Sequence, residues 1–330
     1  MKNLRYVLSV VALALGAAVI SGASGPAVTG GDPAASAAPQ LVLLDTDIGD
    51  DIDDAFALAL VLKSPELKLL GITTAYGDTE LRARLVDRYL AAVGRMDIPD
   101  AAGVPTPHTN VFTQAAYAQQ TPAGAKHRDG VQFLLDQIKV HPGQITLIAI
   151  GPLFNIGAAI KKDPETFRKL KRVVLMGGSV YRGYGGTAAA PTPPQPEWNI
   201  LCDPAGLRAL LGSGVPVFMM PLDSTQIPLD VSNREQIFKN GTALTDQLTL
   251  LYHEWVAGDI HRTTPTLFDP VAVAYAIRPE LCPATPLRLE VDDKGLTRPV
   301  PGDPNAHVCL KSDEKGFLDL LLGRITEVSH

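Results

Sequence analysis

Short apolar runs alternate along the chain with longer segments in which apolar residues recur at helical spacing. The runs lie at residues 41–47, 67–77, 145–152, 172–179 and 215–223. The intervening segments include DDAFALALVLKSP, TELRARLVDRYLAAVG and LFNIGAAIKKDPETFRKL, which have the periodicity of helices. Apolar strands that are separated by helices are typical of a mostly parallel sheet buried on both faces. The pattern therefore predicts a single α/β domain with a mostly parallel central sheet flanked by helices.

Polar clusters directly follow these predicted strands. They read DTDIGDD, TTAYGD, IGPLFN, MGGS and PLDST. Ligands of parallel α/β sheets bind beyond the carboxyl ends of the strands, so we expect one site at one edge of the sheet. The Gly- and Pro-rich segment 181–196 predicts a long loop, and loops of this length in compact domains are often functional.

Composition describes an ordinary globular protein of 330 residues, with 46% hydrophobic and 19% charged residues and a net charge of −6. This charge provides no global field that would attract nucleic acid or anionic membranes, so we expect neither as a partner.

The first 39 residues do not fit the folded domain. Two basic residues precede an apolar stretch from Val7 to Ile20, and small residues follow it. This pattern predicts a signal peptide over residues 1–23, with an uncleaved membrane anchor as the alternative. Residues 24–39, rich in Gly, Ala, Ser and Pro, predict a disordered lead-in. We therefore expect a secreted or periplasmic protein without stable membrane association after removal of the signal.

An exported chain can keep disulfides. Of the three cysteines, Cys282 and Cys309 flank a predicted C-terminal β-hairpin region and are the candidate bridge, with Cys202 left free. Three reduced thiols are the alternative. Neither the number nor the spacing of these cysteines resembles a zinc site.

Six aspartates crowd into the ten residues DTDIGDDIDD at positions 45–54. Carboxylates this close need a cation, shared protons or wide separation, and carboxylate ligands favour Ca²⁺ or Mg²⁺ over zinc. An EF-hand that begins at Asp45 is excluded, because its twelfth position would be Phe56. An aspartyl-phosphate phosphotransferase, with Asp45 as nucleophile and Asp47 as acid, is a further alternative, although its motif has Thr or Val in place of Gly49.

The segment DTDIGDDIDDAFALAL is followed by further blocks in a fixed order. These read GITTAYGDTELRARL, KHRDG, IAIGPLFNIGAAI, VVLMGGS, PEWNILCDPAG and FDPVAVAYA. The ordered set resembles the inosine–uridine-preferring nucleoside hydrolase family. The resemblance implies a nucleoside hydrolase fold, Rossmann-like, with one catalytic domain over residues 40–330. It also implies hydrolysis of ribonucleosides to ribose and free base in nucleoside salvage, with Ca²⁺ as cofactor, a small-molecule nucleoside as partner and a homodimer or homotetramer.

The same resemblance implies a set of metal ligands and catalytic groups. Asp47, Asp54 and Asp269 match metal-binding carboxylates, and Ile150 matches the residue that lends its backbone carbonyl. Asp47 also matches the general base that activates water. Asn199 is expected to act beside it.

Substrate contacts are implied at Asp51, Asp53, Asp78, Asn155, Glu197, Asn199, His127 and Phe268. Two extra residues between Gly49 and the Asp53-Asp54 pair depart from the commonest family spacing, so it stays open which of Asp50, Asp51 and Asp53 contacts ribose. Asp78 stands where many members have Asn and would act as an acceptor only. His127 matches a block near the base pocket, and a structural role is its alternative.

Phe268 occupies the position from which one branch of the family uses His as general acid and a purine-preferring branch uses Trp to stack on the base. Phe cannot donate a proton but can stack. The resemblance therefore implies a purine-leaning hydrolase, with Trp255, Tyr252 and His261 as further candidates for the base pocket. A hydrolase of a related ribosyl N-glycoside and a non-catalytic ribose- or nucleoside-binding protein are the alternatives.

Overall fold

Nine strands form one sheet among the described residues, in the order β3-β2-β1-β4-β5-β6-β9-β7-β8. The structure is a computed structural model that describes residues 38–121, 126–186 and 190–327. The strands are β1 (Gln40–Thr46), β2 (Leu67–Thr74), β3 (Asp100–Ala102), β4 (Thr146–Ala149), β5 (Arg172–Met176), β6 (Val217–Met220), β7 (Ala284–Val291), β8 (Thr297–Val300) and β9 (Ala306–Cys309). Strand β7 pairs antiparallel with β8 and β9, and all other pairings are parallel. The predicted α/β class with a mostly parallel sheet is confirmed.

Helices flank this sheet. They are α1 (Asp53–Leu62), α2 (Thr79–Ala92), α3 (Ala115–Gln119), α4 (Gly130–Val140), α5 (Phe154–Lys162), α6 (Pro164–Phe167), α7 (Trp198–Cys202), α8 (Pro204–Leu211), α9 (Leu222–Thr225), α10 (Val231–Phe238), α11 (Ala243–Gly258), α12 (Phe268–Ile277) and α13 (Glu314–Thr326). From Ala38 onward the described residues form one compact unit. Among the described helices, none is long and apolar enough to cross a membrane.

The predicted signal peptide, residues 1–23, lies outside the described residues, as does the lead-in up to residue 37. Both remain predictions.

The sheet separates two hydrophobic cores. Val42 and Leu44 of β1 face one core, and Leu43 between them faces the other, because successive strand residues point to opposite sides. Helices α1 and α12 pack against each other in the first core. Beyond the aspartates of their first turns, both are apolar around their circumference, as expected for helices buried on all sides.

The chain reverses its direction of travel across the sheet at β1. Strands β2 and β3 lie on one side of β1, and β4, β5 and β6 lie on the other. The backbone N–H of Ile150, directly after β4, donates to the carbonyl of Asp45 in β1 at 2.8 Å. The carboxyl ends of β1 and β4 therefore adjoin at the switch point of the topology, where α/β sheets form their ligand crevice.

Two local features differ from or add to the predicted elements. The helical segment predicted over residues 153–170 is two helices, because Pro164 cannot lie in a helix interior and Asp163 instead caps α6 by accepting from the N–H of Thr166. The short strand β3 has no apolar run that would predict it. The predicted bridge between Cys282 and Cys309 is confirmed, and Cys202 is free.

Candidate active site

A cavity of about 630 Å³ opens beyond the carboxyl ends of β1 and β4. It is lined by most of the residues that the sequence assigned to a site: Asp47, Asp51, Asp53, Asp54, Ile150, Glu197, Asn199, Phe268 and Asp269. Segments far apart in the sequence thus meet at one edge of the sheet.

Three buried carboxylates at the floor of this cavity come from the first turns of two neighbouring helices. Asp53 and Asp54 begin α1, and Asp269 lies at the start of α12. One oxygen of each lies within 4.8 Å of the others. The N–H of Asp269 donates to Asp53 Oδ2 at 3.2 Å, and the hydroxyl of Thr46 donates to Asp54. Helix N-termini favour negative charge, so both helices stabilise the acids they carry.

The cluster carries more negative charge than its surroundings balance. Burial, followed by the charges of neighbouring aspartates, raises the pKa of Asp53, Asp54 and Asp269 well above the ordinary value. Burial also raises the pKa of Asp47 to about 7, although the guanidinium of Arg82 opposes the rise. Asp47 is outside the three-carboxylate group, but its charge acts on both Asp54 and Asp269.

These residues fit a hard divalent cation. Every candidate ligand is an oxygen, and Ile150 lines the cavity beside the carboxylates. Within the described part of the chain, no Lys or Arg forms an ion pair with Asp53, Asp54 or Asp269, so a cation remains the simplest way to balance them. Asp53, which the sequence assigned to ribose, belongs to this group as well.

Glu197 and Asn199 are held by the backbone around the short helix α7. Glu197 caps the helix, and its carboxylate accepts from the N–H groups of Asn199 at 2.9 Å and Gly178 at 2.8 Å. Burial raises the pKa of Glu197 to about 7. The side-chain amide of Asn199 donates to the carbonyls of Ile150 at 3.3 Å and Met176 at 3.2 Å. Asn199 therefore orients the carbonyl of the predicted ligand Ile150.

Aromatic side chains line another part of the cavity. The rings of Phe268 and Tyr184 meet edge to face with centroids 6.1 Å apart, and Tyr184 Oη accepts from the N–H of Trp198 at 2.9 Å. Trp255 of α11 is 2% exposed and also lines the cavity. The other two aromatic candidates, Tyr252 and His261, do not line it: Tyr252 packs in the core and His261 is exposed.

Three predicted substrate contacts lie outside the cavity. Asp78 is exposed and caps α2 by accepting from the N–H of Leu81 at 2.9 Å. Asn155 is fully buried, where its amide donates to Asp45 Oδ1 at 2.7 Å and to the carbonyl of Thr74 at 3.0 Å. Both side chains thus make hydrogen bonds within the fold, and their ribose contacts stay predictions.

His127 is the third of these. Its Nδ1 lies 2.7 Å from Glu80 Oε1 and its Nε2 lies 2.9 Å from Asp87 Oδ2, so both ring nitrogens face carboxylates and neither faces the cavity. Burial lowers the pKa of His127, but Glu80, Asp100 and Asp87 outweigh it and raise the pKa above the ordinary value. This arrangement favours the alternative structural role of His127, and its predicted place near the base pocket stays a prediction.

Asp45, only two residues before Asp47, is buried in β1. It accepts hydrogen bonds from the hydroxyl of Thr73 and the amide of Asn155, and burial raises its pKa to about 6. Asp45 does not line the cavity. A nucleophile must reach its substrate, so this burial argues against the phosphotransferase alternative.

Asp50, which the sequence left open as a ribose contact, also lines the cavity, whereas sequence reasoning missed other lining residues, among them Thr109, Thr113, Tyr184, Trp198 and Arg262. Tyr184 lies in the loop whose length predicted a function, and this was its only signal. Cys202, at the end of α7, is half-buried, and burial together with nearby carboxylates raises the pKa of its thiol to about 12.

Comparison with known proteins agrees with this geometry. The family model described as "Inosine-uridine preferring nucleoside hydrolase" matches residues 42–319. A pyrimidine-specific ribonucleoside hydrolase from Citrobacter koseri is 30% identical over 317 residues, which cover 86% of this chain and 97% of that protein. The structure of a plant nucleoside hydrolase has a TM-score of 0.74 at 25% identity and covers 88% of this chain and 100% of that one. A purine-preferring ribonucleoside hydrolase from Gardnerella vaginalis has a TM-score of 0.73 at 27% identity, with coverages of 87% and 98%.

Proposed function

The chain belongs to the inosine-uridine preferring nucleoside hydrolase family, and on that premise we propose that it hydrolyses ribonucleosides in a Ca²⁺-dependent reaction. The resemblance seen in the sequence is thereby confirmed, and the chain is a glycosidase that acts on N-glycosyl compounds. The identity of the metal, the preferred base and the cellular role belong to the proposal.

One observation carries the Ca²⁺ assignment. The buried carboxylates of Asp53, Asp54 and Asp269 converge within 4.8 Å, with Asp47 and Ile150 beside them at the cavity. A set of ligands made of oxygens alone favours a hard cation such as Ca²⁺, whereas zinc sites usually include nitrogen or sulfur ligands. When bound, the ion supplies positive charge that balances the acids and orients the polar groups of the substrate.

Different residues of this chain then have different roles in the hydrolysis of the N-glycosidic bond. The carboxylate of Asp47 takes a proton from the attacking water, whose oxygen forms the new bond to C1′ of ribose. The C1′–N bond breaks, and its electron pair leaves with the base. The transition state has the cationic character that is general for glycoside cleavage, which the surrounding carboxylates stabilise. Glu197 and Asn199, fixed by the backbone, bind ribose hydroxyls.

We propose a leaning towards purine nucleosides. The cavity offers Phe268, Tyr184 and Trp255 as aromatic surfaces, and no histidine lines it among the described residues. Stacking on an extended purine ring system is favoured by such surfaces. The similar proteins include both a pyrimidine-specific and a purine-preferring hydrolase, and higher kcat/KM for purine than for pyrimidine ribonucleosides would bear out the leaning.

The N-terminal sequence supports export, because two basic residues and an apolar stretch precede small residues. An exported hydrolase would release bases and ribose from external nucleosides for salvage.

The test is a panel of purine and pyrimidine ribonucleosides assayed for free ribose with Ca²⁺ and with a chelator. Asp47→Asn should reduce kcat by about 10²- to 10⁴-fold, the usual contribution of a general base. Asp230→Ala removes an exposed helix-capping aspartate outside the cavity and should leave kcat unchanged. If the wild-type protein with Ca²⁺ releases ribose from none of the nucleosides, the proposed function is wrong.

A further inference from the structure

Arg82 is a buried cation that the proposed reaction does not use. It lies in the first turns of α2, and its side chain is 0% exposed. A charged side chain is almost never buried unless its donors are paired, because desolvation of the charge is costly. The groups to which Arg82 donates hydrogen bonds therefore indicate why a charge is buried at this position.

The guanidinium joins the loop after β1 to the loop after β2. Its Nη1 donates to the backbone carbonyls of Asp47 and, at 2.9 Å, of Ile48. Its Nε donates to the carbonyl of Tyr76 at 2.8 Å. These bonds restrain the backbone on which the carboxylate of Asp47 is mounted.

The remaining arm of Arg82 holds Asp50, one of the three residues between Gly49 and Asp53. Nη2 of Arg82 lies 3.0 Å from Asp50 Oδ2, and Nε2 of His108 lies 2.9 Å from the same oxygen. The ring of Phe112 lies against the guanidinium, with its centroid 4.9 Å from the central carbon. The same Phe112 ring occupies the space that a side chain at Gly49 would need, so the loop can follow this path only with glycine there.

We propose that Arg82 is a positioning residue that sets the orientation of the Asp47 carboxylate in the active site. The inference rests on the proposed function, since it concerns the same site. Arg82 lies outside the cavity lining and acts through the backbone of Asp47 and Ile48. Its planar fork bonds several acceptors at fixed angles, which a lysine ammonium cannot reproduce.

The test compares Arg82→Lys with Arg88→Lys. Arg88 lies on the same helix, donates to the carbonyl of Tyr117 at 2.8 Å and packs against the Tyr117 ring. Among the described residues, it makes no side-chain hydrogen bond or ion pair with residues 47–52. We expect Arg82→Lys to lower kcat by about 100-fold with KM changed by less than about threefold, because small misplacement of a reacting group has effects of this size. Arg88→Lys should retain the wild-type kcat.

Stability measurements separate positioning from a merely structural role. Both variants are unfolded in urea, and kcat is normalised to the folded fraction. If Arg82→Lys loses stability but its normalised kcat equals that of the wild type, the inference is overturned. Should Arg82→Lys fail to fold, Asp50→Asn weakens one arm only. It should lower kcat several-fold, and an unchanged kcat would equally overturn the inference.

A binding measurement, which does not require turnover, tests the role of Arg82 separately from the proposed function. Calorimetric titration with Ca²⁺ should show about tenfold weaker binding for Arg82→Lys and wild-type binding for Arg88→Lys, because Asp47 stands beside the proposed ion. Absence of ribose release from the wild type contradicts the proposed function, whereas equal Ca²⁺ affinity of the two variants contradicts the role of Arg82.

Discussion

Asp45 and Asp47 are two residues apart in one short motif, yet their side chains lie in different environments and have different roles. Asp45 is still part of β1, where Thr73 and Asn155 donate to it and the cavity does not reach it. Asp47 lies just beyond the strand, in the loop that Arg82 restrains, and it lines the cavity. The end of the strand therefore decides which acid can contact a substrate.

Asp78 provides a test at the scale of the residue. Because it caps α2 from an exposed position, Asp78→Ala should lower the free energy of unfolding by about 1 kcal/mol and leave kcat and KM within about twofold of wild type. Urea unfolding and steady-state ribose release measure the two effects. A large rise in KM would instead support the ribose contact of Asp78 that the resemblance implied.

A site residue could be predicted from the sequence when its motif fixes both the position and the direction of its side chain. Asp53 and Asp54 open a helix directly after a strand, so their place at the edge of the sheet could be predicted. The directions of His127 and Asn155 depend on Glu80 and Asp45, distant partners that no pattern of spacing reveals. Tyr184 reaches the cavity from an irregular loop, whose path is set by tertiary contacts alone.

At the scale of elements, the active site depends on the pairing of α1 with α12. Asp53 and Asp269 are 216 positions apart, and they meet because both helices are buried and begin at the same edge of the sheet. Hydrophobic patterning predicted the β1–α1 unit and the parallel strands. It could not predict which helix packs beside α1, since every apolar helix offers a similar surface.

The disulfide is a second feature at this scale. It links the segment before β7 to the end of β9, across 27 positions of the chain. Replacing both Cys282 and Cys309 by Ala should lower the free energy of unfolding by about 3 kcal/mol, as expected for a loop of this length. Neither cysteine lines the cavity, so kcat at a temperature where the variant is folded should not change. Urea unfolding and ribose release check both expectations.

For the whole molecule, the buried acids make stability depend on pH and on the cation. Burial raises the pKa of Asp47 from 3.8 to about 7, so between these values the folded state keeps a proton that the unfolded state has released. Without metal, stability should therefore fall as pH rises through this window. Protons and Ca²⁺ compete for the same carboxylates, so stabilisation by Ca²⁺ should grow as pH rises.

Scanning calorimetry at about pH 5.5 and about pH 8, with chelator and with Ca²⁺, measures both effects. We expect Tm in chelator to be lower at the higher pH and the Ca²⁺-induced rise in Tm to be larger there. An equal rise at both pH values would mean that the acids do not bind the ion.

The free cysteine, Cys202, has a consequence for the handling of the protein. Only a thiolate attacks a disulfide, and burial together with the nearby carboxylates raises the pKa of the Cys202 thiol to about 12, so the thiol stays protonated far above neutral pH. Cys202 should therefore be alkylated by iodoacetamide much more slowly than free cysteine at pH 8 under native conditions, and at a normal rate in urea. A thiol that stays protonated is a poor nucleophile toward disulfides, so an unpaired Cys202 can coexist in one chain with the Cys282–Cys309 bridge.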